Sequence, residues 1–168
     1  MDTVDTQALE SKVKDMYERV AHDPHGDFHF EMGRALAERL GYSPYDLDRV
    51  PAPSIDSFAG VGHHFELATL QSGEHVLDLG SGSGLDSFVA SLKVGSTGRV
   101  VGVDMTTAQL EKATELRQRG GFSNIEYVQG YIDQLPFEDE SFDCVISNGV
   151  FNLVANKEAL PWQNRERK

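Results

Sequence analysis

A short apolar segment that breaks into alternating glycines is the feature that most limits how this chain can fold. Residues 76–84 read VLDLGSGSG, and a helical pattern follows from Leu85 to Val94. This order predicts a buried strand, a tight turn and the start of a helix. Glycines leave the backbone N–H groups of such a turn open to a ligand, because no Cβ stands in the way. The segment therefore predicts a binding site for a nucleotide-like cofactor.

Composition and charge narrow the classes of function. The 168 residues carry a net charge of −12, which disfavours nucleic acid or an anionic membrane as partner. No apolar stretch approaches the length of a membrane span, and the acidic N-terminus does not resemble a signal peptide. The single cysteine, Cys144, excludes a disulfide framework and a cysteine-based metal site. We expect a cytoplasmic protein without a bound metal, although His22, His25 and His29 form a loose group.

The chain divides near Gly73 into a helical part and an alternating part. Before this point, apolar spacing predicts helices at 9–20, 28–40 and 43–50, an extended link at 51–53 and a weaker helix at 57–70. After it, the pattern predicts strands at 75–79, 99–104, 125–129 and 142–147, with helices at 85–94 and 106–119. Thr106 and Gln109 form a predicted capping box for the last of these helices. The alternation implies a parallel sheet with helices on its faces.

The spacing of the glycines separates two classes of cofactor. A dinucleotide fingerprint requires Gly-x-Gly-x-x-Gly, and its third glycine would fall at Leu85 or Ser87. The spacing therefore argues against a nicotinamide-dependent oxidoreductase. Asp78 is instead followed by glycines at every second position from Gly80 to Gly84. This form resembles motif I of the class I S-adenosylmethionine-dependent methyltransferases.

The resemblance implies a role for residues at the ends of several strands. Asp104 would accept hydrogen bonds from both ribose hydroxyls, and Met105 would pack against the adenine. The Ile132 N–H and the Asp133 carboxylate would contact the adenine edge, and the end of the fourth strand would line the methionine portion. The predicted cofactor-binding residues are Asp78, Gly80, Ser81, Gly82, Gly84, Asp104, Met105, Ile132, Asp133 and Asn148.

Segments 102–106, 130–132 and 146–150 narrow the resemblance to the arsenite methyltransferase branch. That branch captures arsenic with cysteine thiolates, which would fall within 58–64, near Ser87 and at Gly149. This chain has no cysteine at any of these places. Because trivalent arsenic needs soft sulfur ligands, we expect a different small-molecule acceptor.

The catalytic residues are less evident than the cofactor site. His63 and His64 occupy the stretch where the arsenite branch carries a thiolate, and either could act as a general base. Tyr17 resembles a tyrosine that some small-molecule methyltransferases place over the cofactor. Each of the three also fits an ordinary surface or core role, so the catalytic base stays unassigned.

The resemblance implies an α/β Rossmann-like three-layer methyltransferase fold with strand order 3-2-1-4. We expect a helical extension over 1–72, a cofactor-binding core over 73–160 and an irregular tail over 161–168. The expected chain is truncated after the fourth strand, which leaves an apolar edge that a homodimer would cover. The leading function is methyl transfer from S-adenosylmethionine, with S-adenosylhomocysteine as product. The alternative is a module that binds these molecules or a partner without catalysis.

Overall fold

The computed structural model describes residues 6–149 and has a parallel sheet in the alternating part of the chain. The N-terminal part holds helices α1 (Thr6–His22), α2 (Arg34–Leu40), α3 (Pro44–Leu47), α4 (Ala52–Asp56) and α5 (Phe65–Ala68). The following part runs β1 (His75–Leu79), α6 (Leu85–Val94), β2 (Arg99–Asp104), α7 (Thr107–Gly120), β3 (Ile125–Gln129) and β4 (Cys144–Ser147). The predicted mixed α/β, Rossmann-like fold is confirmed.

The four strands lie in the order β3-β2-β1-β4, and every neighbouring pair is parallel. This is the predicted order. The register places Leu79 of β1 beside Val103 of β2 and Ser147 of β4, so these strands end at the same edge of the sheet. The glycine turn, Asp104 and Asn148 therefore come together at the carboxyl edge, which is where open α/β sheets bind ligands.

Successive strand residues point into two apolar layers, as the pleat of a strand requires. Val76 and Val100 pack in one layer with Phe88 of α6, and Leu77 and Val101 pack in the other. The N-terminal helices contribute residues such as Leu47 and Ile55 to the layer of Phe88. The helical part and the sheet thus share a core, and the boundary at residue 72 stays a prediction.

Several predicted boundaries in the N-terminal part were wrong. The expected helix at 28–40 begins only at Arg34, because Gly33 has a φ of 87° that an α-helix cannot include. The expected link at 51–53 instead opens α4, with Pro53 in the first helical turn, where a missing N–H leaves no hydrogen bond unmade. Within 57–70, only Phe65–Ala68 is helical.

The sheet ends at β4 among the described residues. This strand begins at Cys144, two residues later than expected, and the Phe142 ring before it packs against Phe137. Val145 is 52% exposed on this edge. The predicted tail at 161–168 and the segment after Gly149 lie outside the described residues. No helix in the described range is long and apolar enough to cross a membrane, and no group of three or more acidic, histidine or cysteine side chains there could hold a metal ion.

Candidate functional site

A cavity of about 300 Å³ lies at the carboxyl edge of the sheet. Its size is at the lower end of the range for small-molecule sites. All of the predicted cofactor-binding residues line this cavity except Asp78, which lies behind the turn. The cofactor-binding residues that line it are Gly80, Ser81, Gly82, Gly84, Asp104, Met105, Ile132, Asp133 and Asn148. The structure thus brings together residues that follow all four strands of the sheet.

The Asp104 carboxylate is held in place by the backbone around it. Its Oδ2 accepts the N–H of Gly82 at 2.9 Å, and its Oδ1 accepts the N–H of Thr106 at 2.8 Å. Burial raises the pKa of Asp104, and these N–H groups oppose part of that rise. Each oxygen still has a second lone pair, so the fixed carboxylate can accept further hydrogen bonds from a ligand in the cavity.

Asp78 does not line the cavity but is buried on β1, where it stabilises the glycine turn. Its carboxylate is buried, and the Ser87 hydroxyl donates to its Oδ2 at 2.6 Å. This contact ties the end of β1 to the first turn of α6. Burial, and after it the charge of Asp86, raises the pKa of the Asp78 carboxyl.

We expect Asp78→Asn to gain stability relative to the natural chain as the pH rises. With a raised pKa, folded Asp78 keeps a proton at pH values where the unfolded chain, with a carboxyl pKa of about 3.9, has released it. Its contribution to stability therefore falls as the pH rises above about 4. Asparagine does not titrate and can still accept the Ser87 hydroxyl. Urea unfolding at about pH 5 and about pH 8 measures the difference.

The matched control is Asp15→Asn, which removes a carboxylate from an exposed position on α1. Its unfolding free energy, measured at the same two pH values, shows the effect of removing one exposed carboxylate. If the stability difference between Asp78→Asn and the natural chain is the same at both pH values, the buried carboxyl of Asp78 is already ionised at the lower pH and its pKa is not raised.

A buried polar network at the edge of the cavity escaped the sequence analysis. The Tyr42 hydroxyl donates to Asp86, and Asn148 Nδ2 donates to the other oxygen of Asp86 at 3.1 Å. The Asn148 Oδ1 accepts the N–H groups of Val61 and Gly62 at 2.8 and 3.2 Å. The side chain of Asn148 thus fixes the loop at 61–62 to the end of β4.

Asp86 is the acidic group that this network holds at the cavity. Burial raises the pKa of its carboxyl, while nearby His64 and the Tyr42 hydroxyl oppose the rise. The only signal in the sequence was an acidic residue in the first turn after the glycines. Its partners lie far away along the chain, at Tyr42 and Asn148, and no local pattern pairs them.

The catalytic candidates do not share one position. Tyr17 lines the cavity, where burial and the charge of Asp104 raise the pKa of its hydroxyl. His63 and His64 are not among the lining residues. The His63 ring centroid lies 4.7 Å from that of Tyr42, and His64 lies 4.5 Å from Phe65. Burial lowers the pKa of His64, and the charge of Asp86 opposes part of this shift.

The charge of the cavity is acidic. Among the described residues that line it, Glu10, Asp86, Asp104 and Asp133 carry carboxyl groups, and none is lysine, arginine or histidine. Such a lining favours a ligand with positive charge or with several hydrogen-bond donors.

The comparison with known families agrees with this geometry. The profile of a family described as a methyltransferase domain matches residues 70–160, which contain the sheet and the glycine turn. The chain belongs to this methyltransferase family. The resemblance to class I S-adenosylmethionine-dependent methyltransferases, close to their arsenite branch, is confirmed.

This chain matches its individual relatives over only part of their length. It is 44% identical over 124 residues to an arsenite methyltransferase of Halobacterium salinarum, covering 74% of this chain and 32% of the relative. It is 41% identical over 97 residues to a ubiquinone/menaquinone biosynthesis C-methyltransferase of Legionella pneumophila. That match covers 56% of this chain and 39% of the relative. The chain therefore spans roughly a third of the length of these curated relatives.

A solved structure is similar over most of the described fold. It is an arsenic(III) S-adenosylmethionine methyltransferase from Chlamydomonas reinhardtii, with a TM-score of 0.54 and 38% sequence identity. The match covers 77% of this chain and 43% of that chain.

Proposed function

We propose that this methyltransferase binds S-adenosylmethionine in the cavity and transfers its methyl group to a small-molecule acceptor. The observation that carries the proposal is the Asp104 carboxylate, which the N–H groups of Gly82 and Thr106 hold at the cavity. A fixed carboxylate at the end of the second strand suits the two adjacent hydroxyls of a ribose.

The residues of the turn fit this cofactor. The Ser81 hydroxyl is buried at the cavity and has no hydrogen-bond partner among the described residues. A buried polar group without a partner is costly, so a ligand atom that bonds to it would stabilise the site. The acidic lining supports the same choice, because S-adenosylmethionine carries a sulfonium and an ammonium group.

When bound, S-adenosylmethionine supplies a methyl group that is already strongly electrophilic. The work left to the protein is alignment of the acceptor with that group and exclusion of water. Asp104 would fix the ribose, and the glycine turn would fix the methionine portion. Ile132 and Asp133 would contact the adenine, while Glu10, Val13 and Tyr17 of α1 cover the cavity.

The acceptor end of the cavity does not offer sulfur ligands. The arsenite branch is expected to carry a thiolate within 58–64, near Ser87 and at Gly149. Here Gly60 of the first segment and Gly149 line the cavity, and Ser87 is buried against Asp78. No cysteine is among the described lining residues. We therefore propose an acceptor other than arsenite. Asp86, held by Tyr42 and Asn148, is placed to accept a hydrogen bond from it.

Titration calorimetry with S-adenosylmethionine and S-adenosylhomocysteine tests the cofactor. We expect saturable binding of both molecules at one site per chain. A folded sample that gives no heat with either would contradict the proposal. A methyl-transfer assay with arsenite as the first acceptor should show no product. Binding without transfer to any member of an acceptor panel would favour the non-catalytic module.

The remaining expectations about partners stay predictions. A homodimer that covers the β4 edge would have twice the mass of the chain in light scattering at micromolar concentration, and a monomer there would contradict it. The cytoplasmic location rests on the composition of the sequence.

A further inference from the structure

Gln109 of α7 lies where the N-terminal helix, the glycine turn and the cavity meet. It is 2% exposed and lines the cavity. Its Nε2 donates to the backbone carbonyl of Tyr17 at 2.8 Å, and its Oε1 accepts the hydroxyl of Ser83 in the turn. A carbonyl oxygen can only accept, so the amide must present its NH₂ to Tyr17 and its oxygen to Ser83. One buried amide thus joins α1 to the turn.

This contact replaces the predicted capping box. Thr106 precedes α7 as expected, but its side chain makes no capping hydrogen bond. The N–H of Thr106 donates to Asp104, so it does not need the Gln109 side chain as an acceptor. Gln109 is therefore free to turn inward to α1 and the turn.

Lys112, one turn further along α7, makes a second contact with α1. Its ammonium group donates to the Ala21 carbonyl at 3.1 Å and to the Ser57 hydroxyl at 2.7 Å. This side chain is not among the residues that line the cavity. Gln109 and Lys112 thus both hold α1, but of these two side chains only Gln109 also contacts the glycine turn.

The position of α1 matters because the helix is part of the cavity wall. Glu10, Val13 and Tyr17 line the cavity together with the turn. A ligand between them contacts both elements, so it stabilises the docked position of α1 and the shape of the turn together. By linkage, a side chain that holds both elements in register raises the affinity for that ligand.

We propose that Gln109 is a positioning residue that couples the docking of α1 to the binding of a ligand at the glycine turn. The inference rests on the proposed function, because the ligand that binds at the turn is S-adenosylmethionine or its product. Without the two hydrogen bonds of Gln109, the turn would bind the ligand while α1 is undocked. The cavity would then lack the wall that α1 provides.

Hydrogen exchange of residues 6–22 in the full chain, with and without S-adenosylhomocysteine, tests this coupling. In the natural chain we expect the ligand to slow exchange in α1. Gln109→Met keeps the length of the side chain and removes both hydrogen bonds. It should lose most of the ligand-induced protection of α1 and bind S-adenosylhomocysteine about tenfold more weakly, since buried hydrogen bonds are lost.

Two further variants separate the coupling from a general loss of stability. Gln109→Leu also removes both hydrogen bonds but fills the space with a different shape from methionine, so it should lose the protection of α1 as well. Lys112→Met is the matched control. It should speed exchange in α1 with and without the ligand, yet keep the increment that the ligand causes.

The outcomes distinguish the inference from the proposed function. If the ligand protects α1 equally in the natural chain and in both Gln109 variants, the role of Gln109 is overturned and the cofactor site stands. If the folded natural chain binds neither cofactor form, both are overturned. If Gln109→Met fails to fold, Ser83→Ala provides the same test, because it removes the hydrogen bond between the turn and Gln109.

Discussion

Replacing Asp104 by alanine is expected to weaken the binding of S-adenosylhomocysteine about a hundredfold. The carboxylate would contribute two charge-assisted hydrogen bonds to the ribose, and such bonds are stronger than those between neutral groups. The substitution also removes the acceptor for the N–H groups of Gly82 and Thr106, which fix the turn. The ligand would then have to order a turn that is preorganised in the natural chain.

Calorimetry on Asp104→Ala and Asp104→Asn separates these two contributions. Asparagine keeps one oxygen that can accept a backbone N–H, so it should preserve more of the turn but lose the charge. We expect its affinity to lie between those of the natural chain and the alanine variant. Asp48→Ala, at an exposed carboxylate paired with Arg34, is the control for net charge and should leave binding unchanged. An unaltered affinity in Asp104→Ala would remove the main support for the cofactor site.

The sequence was sufficient for the elements that local patterns determine. The bounds of β1, α6, β2 and β3 agree with the prediction to the residue. In these segments an apolar run, a glycine break and a helical period follow one another without ambiguity. Because parallel strands end at one edge, the sequence also predicted which residues would meet at the cavity. The roles of those residues toward a cofactor stay predictions.

The contacts that sequence reasoning missed join residues that are distant along the chain. Asp86, Tyr42 and Asn148 come from a helix, an N-terminal loop and the end of the last described strand. Gln109 has a local pattern that predicts a helix cap, but its partners across the core determine its conformation. Local rules assign a side chain its nearest partner. They fail where a buried partner from another element makes the better hydrogen bond.

Gly84→Ala is expected to cost about 2–4 kcal/mol in the free energy of unfolding, which combines backbone strain with overpacking. Gly84 is buried and has a φ of 93°, which disfavours any residue with a Cβ. A Cβ at this position would overlap the Tyr127 hydroxyl and lie 3.1 Å from the Phe88 ring. The turn cannot move away from them, since Phe88 is buried in the core beneath it.

Gly121→Ala is the matched control, because Gly121 has a similar φ of 72° but nothing within 4 Å of the added Cβ. It should cost only the backbone strain, about 1 kcal/mol. Removing the hydroxyl by Tyr127→Phe should recover part of the additional loss at Gly84, although the ring carbon that carried it would still lie 3.0 Å from the new Cβ. Denaturant unfolding of the single and double variants measures these differences. Equal losses at Gly84 and Gly121 would mean that the turn relaxes around a side chain, and its glycines would then be needed for conformation alone.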